Sequence, residues 1–263
     1  DPNIGYMEDL DASTLQDVVD YNKKYYVPNN AVLVVAGDID IPKTKNLVSQ
    51  YFGPIPKGKD IVRNYPEEDP ITQEIREKAY DKNIQIPASI VAYRTPGFKE
   101  RDAYVLDMIS TYLSDGKSSK LYKKLVDEQK QALQVGAFNI TQEDYGMYVV
   151  FCLPLGETPL ETLETEIEEE ISKLRMDLIS ERDFQKLQNK FENDFVNSNS
   201  RVEGIANSLA RYYMLYGDTS LINKTIDIFR SVTREEIRDV AIKYLKPTQR
   251  AVIDYLPEEK MDN

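Results

Sequence analysis

Residues 13–40, STLQDVVDYNKKYYVPNNAVLVVAGDID, read as a helix, a turn and a buried strand. Thr14 suits an N-cap, and Leu15, Val18, Val19 and Tyr25 follow it near helical spacing. Pro28 cannot continue a helix, and Asn29 and Asn30 tolerate turn dihedrals. AVLVVA, residues 31–36, is short, valine-rich and free of polar alternation, which suits a strand covered on both faces. Such a strand needs sheet neighbours and helices above and below. The few residues numbered before Ser13 cannot supply them, so the stretch is expected to close a domain whose body is not in front of it.

A second copy stands near the other end. Residues 233–257, TREEIRDVAIKYLKPTQRAVIDYLP, superpose on the first stretch without a gap at an offset of 219, Thr14 onto Thr233. Asp17 then meets Glu236, Val18 meets Ile237, Tyr25 meets Tyr244 and Pro28 meets Pro247. The run Val32, Leu33, Val34 meets Ala251, Val252, Ile253. Similarity at one long, fixed offset points to a duplicated unit. The copies are unequal, because the second follows a body that starts near Lys82. The expected organisation is a C-terminal remnant of a first domain plus a linker, residues 1–75, and a complete second domain, residues 76–263.

Composition narrows the function. The 263 residues carry 45 acidic and 33 basic side chains, a net charge of −12, and offer no basic stripe for nucleic acid or for an anionic membrane. No apolar run approaches the length of a membrane span, so neither nucleic acid nor membrane insertion is expected. There is no histidine. Its absence removes the commonest general base and every imidazole-dependent triad. With one cysteine, Cys152, and no imidazole, a zinc site would need carboxylates alone. Cys152 itself lies in YVVFCLP and reads as a buried strand residue.

Between the copies, residues 59–83 are polar and carry Pro66 and Pro70, which suits a linker, with a short strand in a surface loop as the alternative. A strand is expected over 84–93 and a helix over 102–113, with Val105, Leu106, Ile109 and Leu113 on one face. The turn SDGK leads to a second helix near Ser118, and ALQVGAFNI and GMYVVFCLP form a strand hairpin across TQEDY. A long helix opens at Pro159 on the stripe Leu160, Leu163, Ile167, Ile171 and Leu174, with the glutamates of ETEIEEE read as a solvated face. Ser180 and Asp183 resemble a capping box for a helix striped by Phe184, Leu187, Phe191 and Phe195. Two further helices precede the final helix and strand. The fold class is α+β, a mixed or largely antiparallel sheet flanked by helices.

Several stretches resemble the insulinase (pitrilysin) family of zinc metallopeptidases, whose relatives include the mitochondrial processing peptidase and the core proteins of the cytochrome bc1 complex. They are IGYMEDLDAST, YYVPNNAVLVVAGDID with YFGPIPKG, AYRTPGFKERDAYVLDMISTYL, and LSDGKSSKLYKKLVDEQKQALQVGAF. The resemblance implies paired homologous α/β domains, which matches the repeat. It also implies an H-x-x-E-H zinc motif in the first half of the first domain, which a chain without histidine does not contain. No catalytic and no metal-binding residue is therefore assigned, and zinc is expected only in a longer parent protein.

Second domains of the family carry an arginine and, seven residues on, a tyrosine that contact substrate. In LVDEQKQALQVGA those positions hold Val126 and Leu133, apolar side chains that cannot make such bonds. The family's glycine-rich turn corresponds to Asp115, Gly116, Lys117, Ser118 and Ser119, assigned as substrate-proximal, with a plain helix-capping turn as the alternative. Ser114 and Lys117 also spell S-x-x-K, without the motifs that accompany a Ser/Lys nucleophile, and Arg211, Tyr212 and Tyr213 read as ordinary helix packing. The resemblance thus implies a non-catalytic C-terminal half of a zinc endopeptidase, contributing to a chamber for peptide or unfolded protein and to a homo- or heterodimer interface. Its alternative is a part of an inactive scaffold subunit of the same family. A bacterial cell envelope or periplasm suits the parent.

Overall fold

The computed structural model describes residues 5–63, 65, 66 and 68–258. The chain divides into two compact units, Asp1–Glu67 with Ser198–Ile222, and Glu68–Asn197 with Asn223–Asn263.

The larger unit is built on a five-stranded sheet. Its strands are β1 (Ile75–Asp81), β2 (Ala88–Pro96), β3 (Ala132–Thr141), β4 (Tyr145–Pro154) and β5 (Arg250–Pro257). Their spatial order is β1-β5-β2-β4-β3. β1 and β5 run parallel and the other three pairs antiparallel, so the sheet is mixed, as the sequence implied. β1 falls inside the stretch read as a linker, and the strand expected over 84–93 begins later, at Ala88. The reason is visible in IREKAYD. All seven of its residues pair with β5 at the sheet's edge and none is buried, so no apolar stripe marks it and periodicity is silent there.

The helices of this unit are α4 (Arg101–Ser114), α5 (Leu160–Met176), α6 (Glu181–Ser198), α8 (Thr225–Ser231) and α9 (Arg234–Tyr244). The buried core joins one face of the sheet to these helices. Val91, Tyr93, Val135, Ala137, Tyr148, Val150, Cys152 and Val252 meet Leu106 and Ile109 of α4, Leu163, Ile167 and Ile171 of α5, Leu187 of α6 and Ile237 of α9. The opposite sheet face carries Phe138 and Phe151, stacked with centroids 5.5 Å apart. Gly136 lies under that pair; a Cβ there would stand 2.2 Å from Phe151 Cε1.

Glu164 departs from the solvated-face reading of α5. It is 6% exposed, accepts from Arg76 Nη2 at 2.7 Å and from Ser89 Oγ at 2.6 Å, and so ties α5 to β1 and β2. Neighbouring glutamates are also engaged. Glu168 pairs with Arg175 and Arg250, and Glu166, Glu169 and Glu170 surround Lys124 Nζ at 2.7, 3.0 and 3.2 Å. Five carboxylates in seven residues are thus organised by basic groups from other elements, which helical spacing cannot reveal.

The other unit contains α1 (Met7–Ala12), α2 (Leu15–Tyr25), a 3-10 turn (Pro28–Asn30), α3 (Ile41–Phe52) and α7 (Val202–Tyr216). The sequence places α7 with the second domain, whereas here it groups with this unit, and none of its residues is buried. The Asn29 side chain anchors the proline-rich exit, accepting from Gly58 N–H at 2.9 Å, and Asn30 Nδ2 donates to Tyr25 O at the end of α2.

The two copies of the repeat agree in detail. Thr14 and Thr233 adopt φ/ψ of −109°/163° and −109°/165°, and each closes a full capping box, with Asp17 and with Glu236. Both helices then run eleven residues and end at equivalent positions, Tyr26 (−94°/65°) and Leu245 (−94°/59°). After the turn they diverge. Residues 250–257 form β5 between two strands, whereas 31–36 pair with no strand among the described residues. Leu33 is 55% exposed where its counterpart Val252 is 1% exposed, and Val18 is 61% exposed where Ile237 is 1%. The strand expected over 31–36 is therefore absent here, because a strand exists by pairing and this run has no neighbour to pair with.

Candidate functional site

The region singled out by sequence lies where α4 ends beside β3, an edge strand of the sheet. Gly116 turns the chain at φ +76°, a backbone region costly for residues with a side chain. Ser119 is buried, and its N–H and hydroxyl both donate to Gly116 O, at 3.1 and 2.7 Å. Asp115 pairs with Lys190 Nζ of α6 at 2.9 Å, and Ser118 Oγ accepts from Lys186 Nζ at 2.5 Å. Lys120 Nζ bonds Asp183 at 2.9 Å and lies 5.1 Å from the centre of the Tyr112 ring. The turn is thus clamped onto α6, and only about 20 Å3 is left between them. This arrangement fits a capping turn held rigid, and Lys117 is exposed at its tip.

These charges shift as their partners dictate. Hydrogen bonds to Asp115 and Asp194 raise the Lys190 ammonium above its ordinary value. For Lys120 burial works against the charge, yet the bond to Asp183 and the neighbouring Tyr112 hydroxyl outweigh it and the net shift is upward. Asp183 is held low by the bonds from Lys120 and Ser180, which exceed the upward push of burial. Ser180 Oγ accepts from Asp183 N–H at 3.1 Å and donates to Asp183 Oδ2 at 2.9 Å, so the pair does cap α6.

Val126 and Leu133 do not meet at a common surface. The helix expected from Ser118 opens out into a π-helix, Tyr122–Glu128, with Gln129 N–H reaching back five residues to Lys124 O. Val126 packs from it against the core. Leu133 sits in the irregular register between Ala132 and Gln134, half exposed. Neither position offers a polar group, so no substrate-binding pair is rebuilt here. Arg211 and Tyr213 stand exposed on α7, and Tyr212 packs on Tyr216 with ring centres 5.8 Å apart.

Ser114, the last residue of α4, has a different role from the one S-x-x-K would give it. Its hydroxyl accepts from Ala137 N–H at 2.8 Å and donates to Ala137 O at 2.9 Å. The hydroxyl also lies 3.3 Å from Ser110 O, so the side chain is spent on the main chain of α4 and β3 and not on Lys117. Sequence reasoning had no signal for this contact, since it joins residues brought together only by packing of α4 against β3. Beside it opens a cleft of about 420 Å3, lined by Thr111, Ser114, Gln134, Gly136, Phe138 and Phe151 among others.

Zinc does not fit the side chains present. No histidine exists, and no group of three His, Cys, Asp or Glu side chains that could hold a metal occurs among the described residues. Burial pushes the Cys152 thiol up to about 12, far from the thiolate a metal needs.

A mixed sheet with helices on its core face and a helix–turn unit duplicated at long range make an α+β domain, the class of protein to which the comparisons then give a family. The chain belongs to the M16 peptidase family: residues 12–191 match the model described as the Peptidase M16 inactive domain. It is 26% identical to the zinc protease PqqE of Helicobacter pylori over 97% of this chain and 57% of that protein. A crystal structure of a protease from Helicobacter pylori superposes with a TM-score of 0.89 at 25% identity, covering 96% of this chain and 61% of that one. The M16 inactive domain from Pseudomonas fluorescens superposes at 0.79 with 12% identity, over 94% and 58% of the two chains, a likeness of fold. The chain spans somewhat over half the length of these relatives.

Proposed function

We propose that this chain is the non-catalytic half of a zinc-dependent endopeptidase, with the zinc-binding half supplied by other sequence of the parent protein. Residues 1–75 close the first peptidase-like domain and residues 76–263 form the second. The observation that supports this best is the duplicated helix. The Thr233 copy buries Ile237 and completes a sheet, while the Thr14 copy, with the same cap geometry, leaves Val18 and Leu33 exposed. An apolar helix face and a valine-rich run of this kind fit a domain body like the one that α9 and β5 serve. The match to an inactive M16 domain and the relatives named zinc proteases support the peptidase reading.

In this reading the turn from Asp115 to Ser119 lines the parent protein's chamber for a peptide or unfolded protein, and the assembly is a homo- or heterodimer. The chain alone neither binds zinc nor cleaves. The test compares the 263-residue chain with the complete gene product in zinc content and in cleavage of unfolded casein, with and without chelator. Zinc and chelator-sensitive cleavage in the complete product, and neither in the chain, are the expected result. A complete product that binds no zinc and leaves casein intact overturns the proposal and favours a scaffold subunit. Chelator-sensitive cleavage by the chain alone overturns it as well.

A further inference from the structure

We infer that Arg94 is a latch that straps residues 68–74 onto the larger unit, and that this latch decides where the joint between the two compact units begins. In sequence the whole polar stretch 59–83 reads as a linker. The larger unit nevertheless starts at Glu68, well ahead of β1 at Ile75. Residues 68–74 lie outside the helices and strands, and a polar segment of that kind is ordinarily mobile. Side chains from β2 and β5 hold this one down instead.

Tyr93 of β2 is buried on the core face, so Arg94 projects from the opposite face of the sheet. Its Nη1 donates to Glu68 O at 2.8 Å and to Asp69 O at 2.7 Å. Its Cζ lies 3.7 Å from the centre of the Tyr145 ring of β4, a cation–π contact that holds the planar guanidinium in place. Pro70 follows these two carbonyls. It fixes its own φ and keeps Asp69 extended, so the strap has less freedom to lose on being bound. Ile71 is half-buried. At the far end Glu74 accepts from Arg250 Nε at 2.8 Å, with Arg76 Nε at 3.6 Å. The Arg250 side chain is only 12% exposed, so that end is set in a nearly dry surrounding. Because Arg94 grips main-chain carbonyls, no side chain of the linker announces the contact in sequence.

On the other side Asp60 is tied within the smaller unit. Asn29 Nδ2 donates to it at 3.1 Å, beside the bond from Gly58 N–H to the same side chain at 2.9 Å. The joint therefore starts after Asp60 and stops at Glu68. The Glu74 end of the strap has two arginines, whereas the Glu68 end hangs on Arg94 and its aromatic backing. Opening the latch adds residues 68–73 to the joint, a further reach of up to about 20 Å for extended chain. Arg94 thus sets the freedom of the two units without touching the smaller one. The inference concerns this chain's own conformation and stands whether or not the parent protein cleaves peptides.

The test measures backbone order parameters of Asp69, Ile71 and Thr72 in the 263-residue chain and in three variants. Native values should lie near ~0.85 and fall below ~0.6 in Arg94→Ala. Arg94→Lys keeps the charge but not the planar fork, and should loosen the strap as well. Tyr145→Phe keeps the ring and should behave like the native chain. A glutamate-specific endoprotease should cut after Glu68 at least about tenfold faster in Arg94→Ala, because the freed segment reaches its active site. Spin labels at Lys45→Cys in α3 and Glu161→Cys in α5, both exposed, then read the joint itself, with the buried Cys152 left unlabelled. Their distance distribution should broaden in Arg94→Ala. A strap equally ordered with and without Arg94, or one that loosens while the distances keep their native spread, overturns the inference. If Arg94→Ala loses the near-UV signal of the folded core, Arg94→Lys carries the same test.

Discussion

Ile237→Ala and Val18→Ala make the same kind of cut at equivalent positions of the duplicated helix, and the structure assigns them opposite outcomes. Ile237 is 1% exposed and packs within the core of the larger unit, whereas Val18 is 61% exposed. Truncating Ile237 removes roughly three buried carbons at ~0.8 kcal/mol each, and the cavity left behind adds to that loss. The expected cost is about 3 kcal/mol. Val18→Ala removes a side chain already in water and replaces a β-branched residue by the best helix former, so its effect should stay within about 0.5 kcal/mol. For a unit of this size, ~2–4 °C per kcal/mol translates the first value into a fall in Tm of about 6–12 °C. Near-UV circular dichroism of the buried Tyr93 and Tyr148 follows the core of the larger unit, and the chain has no tryptophan to obscure it. Equal losses in the two variants would refute the reasoning, since they would require the α2 face to be as buried in solution as the α9 face.

Three further outcomes follow from particular contacts. Glu164→Ala leaves the buried Ser89 hydroxyl without its partner, while Arg76, partly exposed, turns to water; about 2 kcal/mol of stability should be lost in urea titrations at neutral pH. Burial raises the Glu164 carboxyl, but the bonds from Arg76 and Ser89 outweigh it and hold the folded group below its ordinary 4.5. That contribution is present above the unfolded value and disappears as pH falls through the folded one, so the gap between native and variant should narrow below about pH 4.5 and stay constant above it. Cys152, with its thiol raised to about 12 by burial, should resist iodoacetamide in the native chain and react fully in urea; fast alkylation of the folded chain would contradict its placement in β4. Gly136→Ala puts a methyl group against the Phe151 ring and should cost about 1–3 kcal/mol, with loss of the Phe138–Phe151 stacking seen as a change in aromatic ring-current shifts.

The elements with strong periodicity were legible from the start. Val105, Leu106, Ile109 and Leu113 do face the core from α4, and Leu163, Ile167, Ile171 and Leu174 do so from α5. The twin caps at Thr14 and Thr233 could be found because a capping box is local chemistry spelled in four residues. The absence of imidazole chemistry needed only a reading of the composition.

What escaped that reading depends on distance in the chain. β1 carries no apolar stripe, and its place follows from β5, which lies far downstream and offers it a parallel edge. Residues 31–36 and 250–257 look alike as text, yet one is a strand and the other is not, because pairing is a property of neighbours. Glu164 reads as one more surface glutamate until β1 and β2 bring Arg76 and Ser89 to it. Ser114 reads as half of a weak motif until α4 packs beside β3 and presents its hydroxyl to Ala137. Local propensity and periodicity are written along the chain, whereas ion pairs, strand partners and a hydroxyl that caps a sheet edge arise between residues that only folding makes adjacent.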